Sequence, residues 1–248
     1  RSCPTRRKTA RAATKPNGNI SARHLKKKMP NPYSYAAESG NTSTGSTLGK
    51  YMTSRSFWSL CLGFGAYDSF WYGLMTWGAV SPCNTRLDIK GLGWAIFVIY
   101  MVGVVGEIIG GTLTDRWRKN SADSNKIMRR LFPVLGICIA IPMYLLSAAT
   151  DVYIAVAFLS VAMFFEKWCG CLYWSLPALC TDRKHSGAVG GAMNMFGNLG
   201  GAIVPIVVGL IVGATGSYYW ALMLFVALAV ALGVLPALIN YNKKIGME

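Results

Sequence analysis

Apolar residues gather along this chain in six long stretches, at about 57–82, 91–114, 131–150, 152–180, 187–213 and 218–239, separated by short polar segments. A helix rises about 1.5 Å per residue and a hydrocarbon core is roughly 30 Å thick, so each stretch predicts a membrane-spanning helix. Pro142 interrupts the third stretch, and the chain turns into the fourth around Asp151. The fifth reads GAVGGAMNMFGNLGGAIVPIVVGLIVG, with Asn194 and Asn198 four apart on one helical face. Its glycines, Gly187, Gly191, Gly197 and Gly201, predict close approach of neighbouring helices. The two amides either hydrogen-bond to adjacent helices or face a polar cavity, because polar groups inside a membrane seek protein or water. The predicted class is an all-α membrane protein with six transmembrane helices.

Composition agrees: 53% of the 248 residues are hydrophobic and 14% are charged, too apolar and too clustered for an ordinary soluble domain. Residues 1–52 differ, being rich in Arg, Lys, Ser, Thr, Gly, Asn and Pro, with Glu38 as their only acid and no sustained apolar period. Disorder is expected there. The segment reads as a cytoplasmic linker or tail, as an organellar targeting segment, or as a basic arm for lipid headgroups or nucleic acid. Tyr33 and Tyr35 stand apart from Lys26, Lys27 and Lys28, so nothing interleaves aromatics with the charge as a nucleic-acid arm would. The membrane domain is expected over 53–242, with a short tail at 243–248. The chain starts at Arg1 and its first Met is Met29, so it is expected to be part of a longer translation product.

A net charge of +15 matters less than where the charge lies. With six spans, 22 of the 25 Lys and Arg fall on one side, only Arg86 and Lys90 fall on the other, and Lys167 lies inside a span. Positive residues accumulate on the cytoplasmic side, so both ends are expected to be cytoplasmic, in a plasma (inner) or an organellar membrane.

Candidate chemistry is sparse. The seven cysteines, Cys3, Cys61, Cys83, Cys138, Cys169, Cys171 and Cys180, form no paired CxxC spacing, so no disulfide framework or zinc site is expected. His24 and His185 sit in basic polar segments as neither a metal pair nor a catalytic dyad. No hydrolase, kinase or redox motif appears, and no cofactor or metal is expected.

Polar residues inside the spans carry the functional signal. In the first span Tyr67, Asp68 and Tyr72 sit near mid-depth, while Phe57, Trp58, Trp71 and Trp77 suit interfacial belts. Glu107 lies about two turns above the polar end of the second span. The fourth holds Glu166, Lys167, Trp174, Ser175 and Pro177. A charge at the centre of an apolar helix costs about 2.5–3.5 kcal/mol on insertion scales, which favours a water-filled cavity or a partner. Neighbours on a helix are about 100° apart, so Glu166 and Lys167 are not expected to neutralise each other within it. Lys167 suits an organic carboxylate; alternatively it snorkels or bonds a backbone carbonyl while Glu166 pairs with another helix. Asp68 and Glu107 are further possible charge partners. Tyr67, Tyr72, Trp174 and Ser175 offer hydroxyls and an indole for a polyhydroxylated acid, or serve packing.

The second span ends in GGTLTDRWRK, where Gly111, Asp115, Arg116, Arg118 and Lys119 resemble the G-xxx-D-R-xx-R loop signature of the major facilitator superfamily. Arg118 stands where the fuller motif has a second glycine, a departure common in its degenerate second copy, which places the chain at the C-terminal half. TSRSFWSLCLGFGAYDSFWYGLMTW, GGTLTDR and SGAVGGAMNMFGNLGGAIVPIVVGLIVGATGSYYWAL further resemble the last six helices of the anion:cation symporter family. That family includes sugar-acid, hexuronate and phthalate-type carriers, and the resemblance runs from about Thr53 to Ile239. It implies the C-terminal six-helix half of a twelve-helix secondary active transporter for a small organic anion, exposed alternately to each side of the membrane. Its partners would be an N-terminal six-helix half, or a second copy, together with membrane lipid, but no nucleic acid. The coupling ion would be H+ or Na+, with coupling carboxylates expected on the N-terminal half. Asp115 would cap and pair at a helix end and favour the state closed to the cytoplasm, unless Asp115 and Arg116 form a plain solvated turn. Asn194 and Asn198 would line this half's side of the substrate site. The competing class is a non-transporting six-helix interaction module whose basic tail binds lipid or another partner.

Overall fold

A computed structural model describes residues 49–77, 88–121 and 124–245, so the basic segment before residue 49 lies outside the described residues. Six long helices follow one another among the described residues: α1 Arg55–Trp77, α2 Ile89–Asn120, α3 Ser124–Leu146, α4 Val152–Cys180, α5 Ser186–Thr215 and α6 Tyr218–Ala237. Their ends have local causes. The Asp151 carboxylate caps α4, accepting from the Tyr153 N–H at 2.7 Å and the Ile154 N–H at 3.3 Å. Gly216 closes α5 at φ 64°, a left-handed conformation that glycine adopts without strain, and its N–H donates to the Val212 carbonyl at 2.8 Å. Ser217 then caps α6 through the Tyr219 N–H.

Helices α2 to α6 are each long and apolar enough to cross a membrane. Helix α1, 23 residues and so about 34 Å long, is less apolar because it carries Ser56, Ser59, Tyr67, Asp68, Ser69 and Tyr72. Its burial explains why it tolerates them: eleven of its residues are buried, and it packs against α5 along one side and α6 along another. Helix α2 packs chiefly on α4, and α3 on both α6 and α4.

Lipid tails are as apolar as leucine, so close packing rather than water exclusion holds these pairs together. At the α3–α6 crossing Gly136 and Gly233 abut, and a side chain on either would strike the other's backbone. At the α2–α4 contact a side chain at Gly106 would strike the backbone of Phe164. Phe57, Phe64, Phe70, Phe132 and Tyr173 fill the interior, and the Tyr173 hydroxyl donates to the Leu232 carbonyl at 2.6 Å.

Three expectations change. Gly197 and Gly201 do meet α1, but Gly187 and Gly191 have open space before them, so only two of these four glycines serve close approach. Pro142 does not interrupt α3, which runs through both Pro133 and Pro142. Asp115, Arg116 and Arg118 lie on helix, as Gly111 does, rather than on a loop, because α2 continues to Asn120 through a segment free of glycine and proline after Gly111.

The start of α1, the end of α2, the start of α3, the end of α4, the start of α5 and the end of α6 share one end of the bundle. The Asn240 N–H donates to Ser56 Oγ at 3.0 Å, the Ile245 N–H to the Cys180 carbonyl at 2.8 Å and Asn125 Nδ2 to the Tyr241 carbonyl at 3.0 Å. Lys244 pairs with Asp182 there, and this hydrogen-bonded ammonium holds the Asp182 carboxyl below the usual aspartate range.

Candidate functional site

Lys167 enters the bundle from the middle of α4. Its stem runs past Gly103 of α2, where a side chain would crowd the lysine Cγ. The ammonium then lies 3.0 Å from the centroid of the Trp71 ring and 5.9 Å from that of Tyr67, both on α1. A cation over an aromatic face gains on the order of 2 kcal/mol when shielded from water.

The same ammonium reaches Glu166 Oε2 at 3.4 Å, so the neighbours do pair, contrary to the expectation from their angular separation. Four methylenes let the lysine tip swing back across the helix after its stem has cleared Gly103, and the aromatic ring fixes it there. The Glu166 side chain is fully buried, whereas that of Lys167 keeps 17% exposure. Glu166 is therefore enclosed beside its counter-ion, and of the two only the lysine side chain keeps some exposure.

Around this pair the helices pack aromatic rings in tilted and edge-to-face contacts. Phe64 lies 5.4 Å from Tyr67 and 5.4 Å from Trp174, Tyr67 lies 5.6 Å from Tyr173, and Trp71 lies 5.4 Å from Tyr100. Gly170 makes room for the Tyr67 hydroxyl. Trp174 stands seven residues from Lys167, on nearly the same face of α4, and is 57% exposed. Ser175 spends its hydroxyl on the Leu172 carbonyl at 2.7 Å.

Asp68 connects this cluster to α5. It is half-buried, its carboxylate borders Gly197, and it interacts electrostatically with Lys167, as does Glu166. Asn194 and Asn198 are exposed, and Asn198 Nδ2 donates to the Asn194 carbonyl at 2.8 Å within their own helix. Tyr72 packs its ring on Gly201 and is 37% exposed.

The structure thus gathers Lys167, Glu166, Tyr67 and Asp68, with Trp174 flanking them through Phe64. It leaves the two asparagines and Tyr72 on an open surface across α1. Glu107 is exposed on α2. Asp115 and Arg116 are exposed near the helix end, close to where Trp168 Nε1 donates to Thr114 Oγ1 at 2.9 Å. Among the described residues no group of His, Cys, Asp and Glu is arranged to hold a metal ion.

Trp71 and Tyr100 belong to this cluster, although the sequence placed Trp71 in an interfacial belt. The available signal was periodicity. Trp71 stands three and four residues beyond Asp68 and Tyr67, hence on their face, and Tyr100 shares a face of α2 with Glu107, seven residues on.

Comparisons with known proteins converge on one family. A sequence profile described as Major Facilitator Superfamily matches residues 6–205. The chain is 32% identical over 169 residues to the "Probable galactarate/D-glucarate transporter GudP" of Escherichia coli strain K12, a match covering 68% of this chain and 37% of that protein. It is 31% identical over 180 residues to the "Probable sulfoacetate transporter SauU" of Cupriavidus necator, covering 69% of this chain and 41% of that one. To the "Hexuronate transporter" of Bacillus subtilis strain 168 it is 27% identical over 184 residues, covering 73% and 43%. The matched part spans about two-fifths of these relatives. An all-helical bundle with apolar spans, a charged group held within it and a match over most of the chain lead to one assignment: the chain belongs to the Major Facilitator Superfamily, with anion:cation symporter-like relatives.

Proposed function

We propose that this chain is the C-terminal half of a secondary active transporter for a small organic anion, a carboxylate or sugar acid, completed by a second six-helix half. The observation that carries the reading is Lys167: one ammonium in the middle of a membrane helix, braced by Trp71 and paired with buried Glu166, its own side chain 17% exposed. Such a group attracts a carboxylate strongly because few waters compete for it. The relatives named for galactarate, D-glucarate, hexuronate and sulfoacetate support an acidic substrate.

The charge balance argues for coupling to a cation. Lys167 is already shared by Glu166 and Asp68. An incoming carboxylate raises the negative groups around it to three, so H+ or Na+ entering with the substrate relieves the repulsion. On this reading Trp174 and Tyr67 flank the acid, while Asn194, Asn198 and Tyr72 face the partner half and close the site from α5 and α1. The two halves rock about that site, and Asp115 and Arg116 at the end of α2 bear on the other half in the inward-closed state. Both ends of the bundle domain then lie in the cytoplasm.

Uptake of labelled D-glucarate or galactarate by cells expressing the full-length protein tests the reading. Wild type is expected to saturate, Lys167→Gln to lose at least about tenfold in uptake and Lys167→Arg to retain part of it, a tenfold loss corresponding to about 1.4 kcal/mol. Full uptake by the Lys167→Gln variant at equal surface expression contradicts the assignment.

A further inference from the structure

Of the two carboxylates that act on Lys167, Asp68 keeps part of its surface exposed, whereas the Glu166 side chain is fully buried. Neither Glu166 oxygen receives a hydrogen bond of ordinary length and angle among the described residues. Those residues already enclose the carboxylate, so a group outside them has no path of contact to it. Its charge rests on the Lys167 ammonium at 3.4 Å, longer than the roughly 2.7–2.9 Å of a charge-assisted hydrogen bond. A buried carboxylate held by one distant counter-ion is costly to keep ionised, and a proton removes that cost.

The spans hold no second cation. Across residues 57–77, 91–114, 131–180, 187–215 and 218–237 of the sequence, Lys167 is the one Lys, Arg or His. The other groups acting on Glu166 are uncharged or negative: Tyr67 and Asp68 from α1, Tyr100 from α2 and Cys169 from α4 itself. On α3 the titratable residues between Leu131 and Leu146 are Cys138 and Tyr144, and α5 has none between Ser186 and Thr215. The Trp71 ring, its centroid 3.0 Å from the ammonium, fixes Lys167 beside the acid.

We propose that Glu166 takes up a coupled proton when Lys167 accepts the organic anion, an assignment that rests on the proposed transport of such an anion. A proton from water adds to a Glu166 carboxyl oxygen as the anion binds and leaves again as the anion is released; no other bond is made or broken. With the substrate in place, three carboxylates share one ammonium, and the member least able to stay charged is the enclosed one. Protonated Glu166 stays beside Lys167 without competing for its charge, and Trp71 continues to brace the ammonium. The resemblance led to coupling carboxylates on the N-terminal half; Glu166 adds one on this half, next to the residue that holds the anion. Affinity for the anion then rises as pH falls, by up to about tenfold per pH unit while Glu166 of the empty protein is ionised.

Titration calorimetry of D-glucarate or galactarate into the full-length protein, repeated near neutral pH in buffers of different ionisation enthalpy, counts the protons taken up with the anion. Glu166→Gln is expected to take up about one proton fewer per anion than wild type, and its affinity to vary less with pH. Equal proton uptake in the two proteins overturns the assignment while leaving anion binding intact. Proton uptake that survives Glu166→Gln and drops in Asp68→Asn overturns it in favour of Asp68. Failure of the wild type to bind either acid overturns the transport reading, and the assignment with it. A measurement on the wild-type protein decides independently of any variant: dicyclohexylcarbodiimide, which modifies protonated carboxyls in apolar surroundings, must label Glu166 more when D-glucarate is present, as read by mass spectrometry of the peptide. Labelling that is unchanged or lower contradicts the proposal.

Discussion

Helices α4 and α5 each carry two polar residues deep in an apolar sequence, and they treat them in opposite ways. On α4 the charged neighbours Glu166 and Lys167 are drawn into the bundle, one fully buried and the other 17% exposed, and aromatic rings from α1 surround the ammonium. On α5 the neutral pair Asn194 and Asn198 remains on the surface, with one amide bonded back to its own helix. The difference follows from cost. A buried charge must find a counter-charge within the same folded unit, whereas an amide partly satisfied by its own backbone is able to wait at a surface for another partner. The α4 pair is therefore complete within this bundle, whereas the α5 pair stays exposed.

The largest expected effect breaks the α4 side. Lys167→Met leaves Glu166 buried without its ammonium and is expected to cost about 3–5 kcal/mol of stability, read as a lowered thermal midpoint in detergent. Adding Glu166→Gln should recover much of that loss. Without recovery, Glu166 and Lys167 are not a coupled unit.

Packing comes next. Gly106→Val drives a branched side chain into the backbone of Phe164, separates α2 from α4 beside Gly103 and should cost about 1–3 kcal/mol. Unchanged stability would show that α2 is free to shift away from α4.

Asn194→Ala and Asn198→Ala sharpen the α5 side. Each is expected to change the thermal midpoint little, within about 0.5 kcal/mol, while lowering uptake in the full-length protein. A loss of stability comparable to that of Lys167→Met would mean that the amides are structural.

The smallest effect lies outside the membrane. Lys244 depresses the Asp182 carboxyl, so the contribution of this pair is present above the ordinary aspartate range and lost as pH falls through the folded-state value. Asp182→Asn should flatten that acidic part of a stability–pH profile and leave neutral pH nearly unchanged.

Much of this architecture was legible as pattern. Length and apolarity located the helices, and positive charge marked the end where they meet. Hydropathy under-reads α1, because Ser56, Ser69 and Asp68 lower its apolarity while neighbouring helices shelter it. The end of α2 is hard to read for a related reason: Asp115 to Lys119 are polar, as a loop would be, yet nothing among them stops a helix. The site was read less completely. Asp68, Glu166 and Lys167 stand out as charges in apolar sequence, but which of them meet depends on how α1, α2 and α4 cross. That Lys167 bends back to Glu166 depends on Gly103 and Trp71, which are distant in sequence. Gly187 and Gly191 show the converse, since a glycine pattern predicts close approach only where a helix is present to approach.

On the proposed function Lys167 holds the organic anion while Glu166 and Trp71 stay at its back. Calorimetric titration of the transported acid into two variants of the full-length protein tests it most directly, because neither leaves an orphaned buried charge. Glu166→Gln frees the ammonium and should bind at least as tightly as wild type. Glu166→Gln with Lys167→Gln lacks it and should bind about tenfold more weakly or worse, a difference of at least about 1.4 kcal/mol. Equal affinity in the two variants would contradict the account.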